Sequence, residues 1–348
     1  MLNNLGLQYQ RLGHYTKGVE TLERALALRS EALGVDHPKN GGLQLNIGNT
    51  LIRSSKYREA EPYFDRAIEL IADGYGEQHV ELSRPYISRG VARKKQGKFD
   101  DARADYEQAL ELLRGKNQRG QEAMVLANLG NVDKRTGRLD SALQRHQEAL
   151  AIREAVLGAE SLRVADSLSD IGSLHRRAKR YEQARANYAR AGAIKLKVHG
   201  PDHPEMITLH LHAANLALDE EDFKAAKTAL DEGLRVIAIS GSSSTESGLT
   251  YQSLGRLRSA LDAPESAVAA LERAVAILTE VGASPSTLGA TRFELAKAHW
   301  ARGDAAKARD ALSAARVELR DGGPGAAEDL AALEVVALQW SGARHSRE

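Results

Sequence analysis

The sequence predicts an all-α solenoid, about eight helix pairs stacked along one axis and followed by a single capping helix. Three observations carry this expectation. A small residue recurs at Gly6, Gly48, Gly90, Gly130, Gly172, Ala214, Gly255 and Ala296, in steps of 42, 42, 40, 42, 42, 41 and 41 residues. Twelve residues beyond each marker stands a second small residue, from Gly18, Ala60 and Ala102 to Ala308, and seven further on a third, from Ala25, Ala67 and Ala109 to Ala315. The composition, rich in alanine and leucine and only 5% aromatic, favours closely packed helices over strands. A repeat array lengthens without needing a larger core, so 348 residues do not require several globular domains.

Each element follows from the pattern. The marker lies within the first helix of a pair, helix A. Glycine inside a helix costs about 1 kcal/mol relative to alanine, and close approach of another backbone is the expected compensation. A turn follows, with Gly13, Gly97, Gly137 and Gly303 in four repeats and Ser55, Lys179, Glu221 and Asp262 in the others. Glycine after a helix suits the left-handed C-terminal cap. Helix B opens with Tyr15, Tyr57, Phe99, Leu139, Tyr181 or Phe223 in repeats one to six. A second stripe lies two helical turns on, at Leu22, Phe64, Tyr106, His146, Tyr188, Leu230, Leu271 and Leu312, and shares its face. A glycine then ends helix B, and Gly34-Val35-Asp36-His37-Pro38 and Gly200-Pro201-Asp202-His203-Pro204 are two copies of one connecting loop, with Gly76-Glu77-Gln78-His79 a partial third. The expected repeats are 1–34, 35–76, 77–117, 118–158, 159–200, 201–241, 242–282 and 283–321, followed by a capping helix and tail over 322–348. Leu330, Leu333 and Val336 would cover the last repeat, as terminal repeats require. Met1 falls inside the first helix A with no cap before it, so the first edge is expected either to continue into a longer protein or to be covered by another chain.

The run Leu5-Gly6-x-x-Tyr9, Gly13-x-Tyr15-x-x-Gly18, Ala25 resembles the tetratricopeptide repeat signature. The period is about eight residues longer than the usual 34, and with the Gly-x-Asp-His-Pro loop and Asn3-Asn4-Leu5-Gly6 it resembles the kinesin light chain form. Thr291 to Ala296 and Ala308-Arg309 resemble, more loosely, the last repeat of arrays that follow bacterial serine/threonine kinase domains. The first resemblance implies a right-handed α-solenoid whose A helices line a concave groove. It also implies a non-catalytic scaffold for a protein or peptide. The second implies a regulatory array whose kinase domain lies outside this chain.

Positions two before and one after the marker lie three apart on one helix face. They are rich in asparagine, namely Asn4, Asn46, Asn49, Asn128, Asn131 and Asn215. The asparagine amide both donates and accepts, which suits the backbone of an extended peptide; bonds to neighbouring helices or water are the other reading. Five residues after the marker come Arg11, Arg53, Lys95, Arg135 and Arg177, with Lys94, Lys134 and Arg176 just before three of them. Such a track fits an acidic segment on repeats one to five. Cations at the end of helix A also suit the helix dipole, by about 0.3–1 kcal/mol. Residues 1–200 carry 33 Lys+Arg against 25 Asp+Glu, or +8, and the rest 15 against 22, or −7, recovering the total of +1.

Several classes are disfavoured. Without cysteine there is neither disulfide nor thiolate chemistry. No phosphate loop, dinucleotide fingerprint, His-Glu-x-x-His or kinase motif occurs. Neither an enzyme nor a cofactor or metal site is expected. Acidic residues interleave with the basic ones and no exposed aromatic run is evident, so nucleic acid is not an expected partner. No apolar run reaches the roughly 20 residues of a membrane helix, and Met1-Leu2-Asn3-Asn4 does not read as a signal peptide. A cytoplasmic location is the expectation. The oligomeric state is not encoded legibly, although an uncovered first edge suits self-association.

Overall fold

The computed structural model describes residues 1–345, among which there are seventeen α-helices and no strand. They form eight consecutive pairs. These are α1 (Leu2–Arg11) with α2 (Tyr15–Leu33), α3 (Gly41–Arg53) with α4 (Tyr57–Tyr75), α5 (Ser83–Lys95) with α6 (Phe99–Leu113), and α7 (Arg119–Arg135) with α8 (Leu139–Leu157). There follow α9 (Leu162–Arg177) with α10 (Tyr181–His199), α11 (Glu205–Asp219) with α12 (Phe223–Ser240), α13 (Thr245–Ala260) with α14 (Pro264–Glu280), and α15 (Pro285–Ala301) with α16 (Ala305–Asp321). The final helix is α17 (Ala327–His345). The chain divides into two compact halves, Met1–Val156 and Leu157–Glu348. Repeats one to four build the first half and repeats five to eight with α17 the second.

The marker glycines have a definite structural cause. A Cβ on Gly48 would lie 2.5 Å from the Phe64 ring, on Gly90 2.7 Å from Tyr106, on Gly130 2.6 Å from His146 and on Gly172 2.6 Å from Tyr188. Gly6 stands in the same relation to Leu22, at 2.6 Å, and Gly255 to Leu271, at 2.4 Å. The expected approach of two backbones is therefore mainly something else: the large stripe residue of helix B, sixteen positions on, seats directly on the glycine of its own helix A. Phe64 and Tyr106 are fully buried there. Burying such a side chain yields about 1.5–3 kcal/mol, more than the helix penalty of glycine.

A second small position, seven residues before the marker, was equally periodic in the sequence: Gly41, Ser83, Ala123, Ala165, Gly248 and Gly289, interrupted by Ile207. It seats the next large side chain along helix B. A Cβ on Gly41 would lie 2.9 Å from Ile71, on Gly248 2.6 Å from Leu278 and on Gly289 2.8 Å from Leu319.

All eight A–B turns adopt the left-handed conformation, whether or not the residue is glycine; φ is 78° at Gly13, 61° at Ser55, 57° at Lys179, 60° at Glu221 and 53° at Asp262. The Asp-His-Pro loop does more than break helices. His37 Nδ1 accepts the backbone N–H of Lys39 at 3.1 Å, and His203 Nδ1 that of Glu205 at 3.2 Å, so each imidazole caps the next helical turn. Asp36 pairs with Arg66, and Asp202 with Arg235 at 2.6 Å, tying each loop to the helix B that follows. At the far end Leu333 is fully buried against Phe293, Leu312 and Leu319, with Leu330 and Val336 beside it. Trp340 stacks on Trp300 at 4.4 Å and Arg316 pairs with Glu334 at 2.9 Å. The capping role expected of this helix is thus present, over Ala327–His345.

Two opposite mutational effects follow. Gly130→Val places a branched side chain against a buried ring and is expected to destabilise by at least about 2 kcal/mol. Glu221→Gly relieves a left-handed non-glycine residue and is expected to stabilise by roughly 1 kcal/mol. Urea unfolding of the two variants beside the parent checks both signs; a neutral Gly130→Val would contradict the seat.

Candidate functional site

In the N-terminal half the stripe runs along α1, α3, α5 and α7, and the structure gives its asparagines different tasks. Asn4 is exposed and accepts from Asn3 at 3.4 Å, and Asn46 donates to Asn3 at 2.9 Å. Asn128 accepts from Lys94 Nζ at 2.9 Å. Asn49 and Asn131 are half-buried and make no side-chain hydrogen bond among the described residues. In the C-terminal half Asn215 accepts from Ser253 Oγ at 2.9 Å and from Arg256 at 3.1 Å. Asn46, Asn128 and Asn215 thus join their own helix A to the next or the preceding one. This matches the second reading of the asparagines and leaves Asn49 and Asn131 as the pair with amides to offer.

The cations divide as sharply. Arg11, Arg53, Lys95 and Arg135 are the last residues of α1, α3, α5 and α7, where each offsets the negative end of a helix dipole. All four are exposed and have no carboxylate partner among the described residues; Arg135 lies over the Phe99 ring at 5.9 Å. Lys134 stands beside Arg135 on α7. Beside the buried aspartates of α6 and α7, by contrast, arginines are neutralised. Asp105, nearly fully buried, binds Arg89 at 2.6 Å and Arg93 at 3.0 Å, and Arg93 also meets Glu61 at 3.2 Å. Asp133, fully buried, holds Arg103 at 2.5 Å, Arg145 at 2.9 Å and Arg138 at 3.2 Å. The sequence reading missed this ladder. Its one signal was a pair of aspartates, Asp105 and Asp133, beside apolar stripe positions where carboxylates need a partner.

Lys94 is the exception. It shares α5 with Arg89 and Arg93, is half-buried, and has no carboxylate partner among the described residues. Its ammonium rests on Asn128 and lies 5.9 Å from the Tyr106 ring centroid. Burial, then the charges of Lys95 and Lys134, push its pKa down to about 8. A desolvated cation among like charges is the arrangement that an incoming anion relieves.

In the C-terminal half the track is already occupied. Arg176 pairs with Asp219 at 2.6 Å, which Arg256 approaches at 3.5 Å. Arg177 lies 3.9 Å from Glu328, at the start of α17. Carboxylates of the same half therefore already stand beside the cations of repeat five. Among the described residues no helix is long and apolar enough to cross a membrane, and no three His, Asp or Glu side chains gather as a metal site.

Comparison with known proteins agrees with the helical-repeat fold. The tetratricopeptide repeat model matches residues 1–69, 41–115, 121–197 and 171–237. No curated protein sequence matches the chain. Among solved structures, the apo form of the quorum sensor NprR from B. thuringiensis is 16% identical, with a TM-score of 0.68, over 91% of this chain and 87% of that one. A Rap protein complexed with Competence and Sporulation Factor is 15% identical, with a TM-score of 0.59, over 97% and 98%. The kinesin light chain nearly identical TPR-like repeats of Podosopora anserina are 17% identical, with a TM-score of 0.51, over 57% and 95%. At such identities the likeness is one of fold.

Lys94 carries a stability signature. Its folded-state pKa lies below the ordinary lysine value of 10.5, so below about pH 8 it is charged in both states and the folded chain bears the full desolvation cost. As pH rises from about 8 towards 10.5 the folded chain loses the proton first and the cost fades. Lys94→Met is therefore expected to stabilise the protein at about pH 7 and by less at about pH 9.5. Urea melts at both pH values read the difference; a gain that grows with pH would contradict the assignment.

Proposed function

This chain belongs to the tetratricopeptide repeat family, and we propose that it is a non-catalytic scaffold holding an extended acidic protein segment along the A-helix face of its N-terminal half. The observation that carries the reading is Lys94, desolvated, bordered by Lys95 and Lys134, and held by an amide instead of a carboxylate. Arg53, Lys95 and Arg135 supply exposed charge along the same stripe, and Asn49 and Asn131 supply amides for the backbone of the segment. An acidic side chain at Lys94 offsets the desolvation of its charged form and displaces little, since no carboxylate among the described residues must leave. The Rap protein solved with Competence and Sporulation Factor lends support as a similar fold that holds a partner.

The track expected over repeats one to five is narrower in this proposal. Arg176 and Arg177 of repeat five already have Asp219 and Glu328 beside them, and a ligand there competes with those contacts. The likeness to arrays behind kinase domains rests on residues of α15 and α16, none of which belongs to this stripe, and adds nothing to the reading.

Fluorescence anisotropy with labelled acidic, basic and uncharged extended peptides tests it. The acidic peptide is expected to bind tightest and to weaken markedly between about 0.05 and 0.3 M salt, because exposed charges are screened over roughly 10 Å at 0.1 M. Asn131→Ala and Lys95→Ala should each weaken binding about three- to tenfold with unchanged thermal unfolding. Equal affinity for the acidic and basic peptides would overturn the proposal.

A further inference from the structure

Among the glycines inside α-helices, Gly42 and Gly120 are the two at which an added Cβ would meet open space. Every other helical glycine described lies within ordinary contact distance of a neighbour, or closer, and so has a reason within the chain. Glycine is among the poorest helix formers, and where nothing in the chain approaches it, a ligand that passes close to the backbone is a physical reason for its use. Gly120 borders a cleft whose one cation, Arg119, is paired with Glu122 at 3.0 Å. Gly42 borders a cleft of a different character.

That cleft, of about 580 Å³, lies at the loop edge of repeats one to three, wholly within the N-terminal half. Its volume falls in the range of roughly 300–1,000 Å³ typical of small-molecule sites. Pro38, Leu45 and Ile71 line it with apolar surface, Leu45 and Ile71 being buried. Tyr75 and His79 stack at 5.0 Å along its wall. His79 Nδ1 accepts the backbone N–H of Glu81 at 3.3 Å, so the neutral ring carries its proton on Nε2, as a donor. Three cations border the cleft. Among the described residues Arg29 bonds only to the Lys39 carbonyl, at 2.9 Å, and Lys39 has no carboxylate partner; Arg84 reaches Glu81 at 3.5 Å. One carboxylate thus faces three cations and a neutral imidazole donor, above an apolar floor with an aromatic wall.

We propose that this cleft binds an aromatic carboxylate, its ring against Leu45, Ile71 and the Tyr75–His79 stack and its carboxylate on Arg29, Lys39 and Arg84. Hydrocarbon alone leaves the donors unanswered, and an inorganic anion leaves the apolar floor wet. The same chemistry is available from a free small acid or from the C-terminal aromatic residue of a peptide. The site does not rest on the acidic-segment reading, since none of its cations belongs to that stripe.

Isothermal titration with 3-phenylpropionate and its uncharged amide tests the class, and a short peptide ending in phenylalanine, as free acid and as amide, tests the source. The free acids are expected to bind at least about tenfold more tightly than the amides. If the small acid binds and the peptide acid does not, the source is a free metabolite-sized acid; if the peptide acid binds as well or better, the cleft also reads chain termini. Gly42→Leu fills open space on a helical backbone, so it is expected to keep or raise the melting temperature and to weaken binding at least about tenfold. Arg84→Ala and Lys39→Ala should each weaken it roughly three- to tenfold, and Lys94→Ala should leave it unchanged. Equal binding of acid and amide, parental affinity in Gly42→Leu, or undiminished binding in both cation variants would overturn the proposal.

Discussion

Most of the structure depends on one contact: the large helix B residue seated on the glycine or alanine of its own helix A. Where the seat is glycine, no Cβ intervenes, and a ring or leucine lies nearly on the helix backbone. That contact sets how closely A and B approach. Since consecutive repeats within each half pack on one another, the approach distance propagates along that half. Side chains in such a seat have no room to yield, because protein interiors are packed as densely as organic crystals. The second seat, seven residues earlier, fixes the pair at another point along its length, and two points of contact define the crossing of two rods.

The seats leave the opposite side of helix A unused by the core, and there the electrostatics separate. Arginines of repeats three and four gather on buried aspartates, because a charge taken out of water must find a partner. Asp105 and Asp133 each gather two or more arginines for this reason. Cations at the ends of the A helices stay exposed and remain available. Lys94 sits at the border of the two regimes, desolvated like the paired arginines and, like the exposed cations, without a carboxylate among the described residues, which is why the functional reading turns on it.

Several features were open to reading in the residues themselves. Glycine and alanine at constant intervals show that a unit repeats, and a stripe at two-turn spacing shows which face it buries. The left-handed turns were announced by Gly13, Gly97, Gly137 and Gly303, and the other four repeats adopt them without glycine because the flanking helices impose the bend. What escaped was pairing. Asn128 and Asn131 look alike in the sequence, three residues apart on one face, yet one holds Lys94 and the other makes no side-chain hydrogen bond among the described residues. Arg135 and Arg177 occupy the same register, yet only Arg177 has a carboxylate nearby, supplied by a helix about 150 residues later in the chain.

The sequence by itself determined the repeat, its helix pairs, the buried stripe and the capping helix, because these are local or periodic consequences of side-chain size and helical geometry. Only the tertiary structure decided which polar groups remain unsatisfied. Whether Lys94 finds a carboxylate, whether Gly42 faces packed atoms or open space, and whether a stripe cation is already neutralised all depend on residues from other repeats. Burial and pairing are properties of a neighbourhood, and the neighbourhood exists only once the helices have stacked.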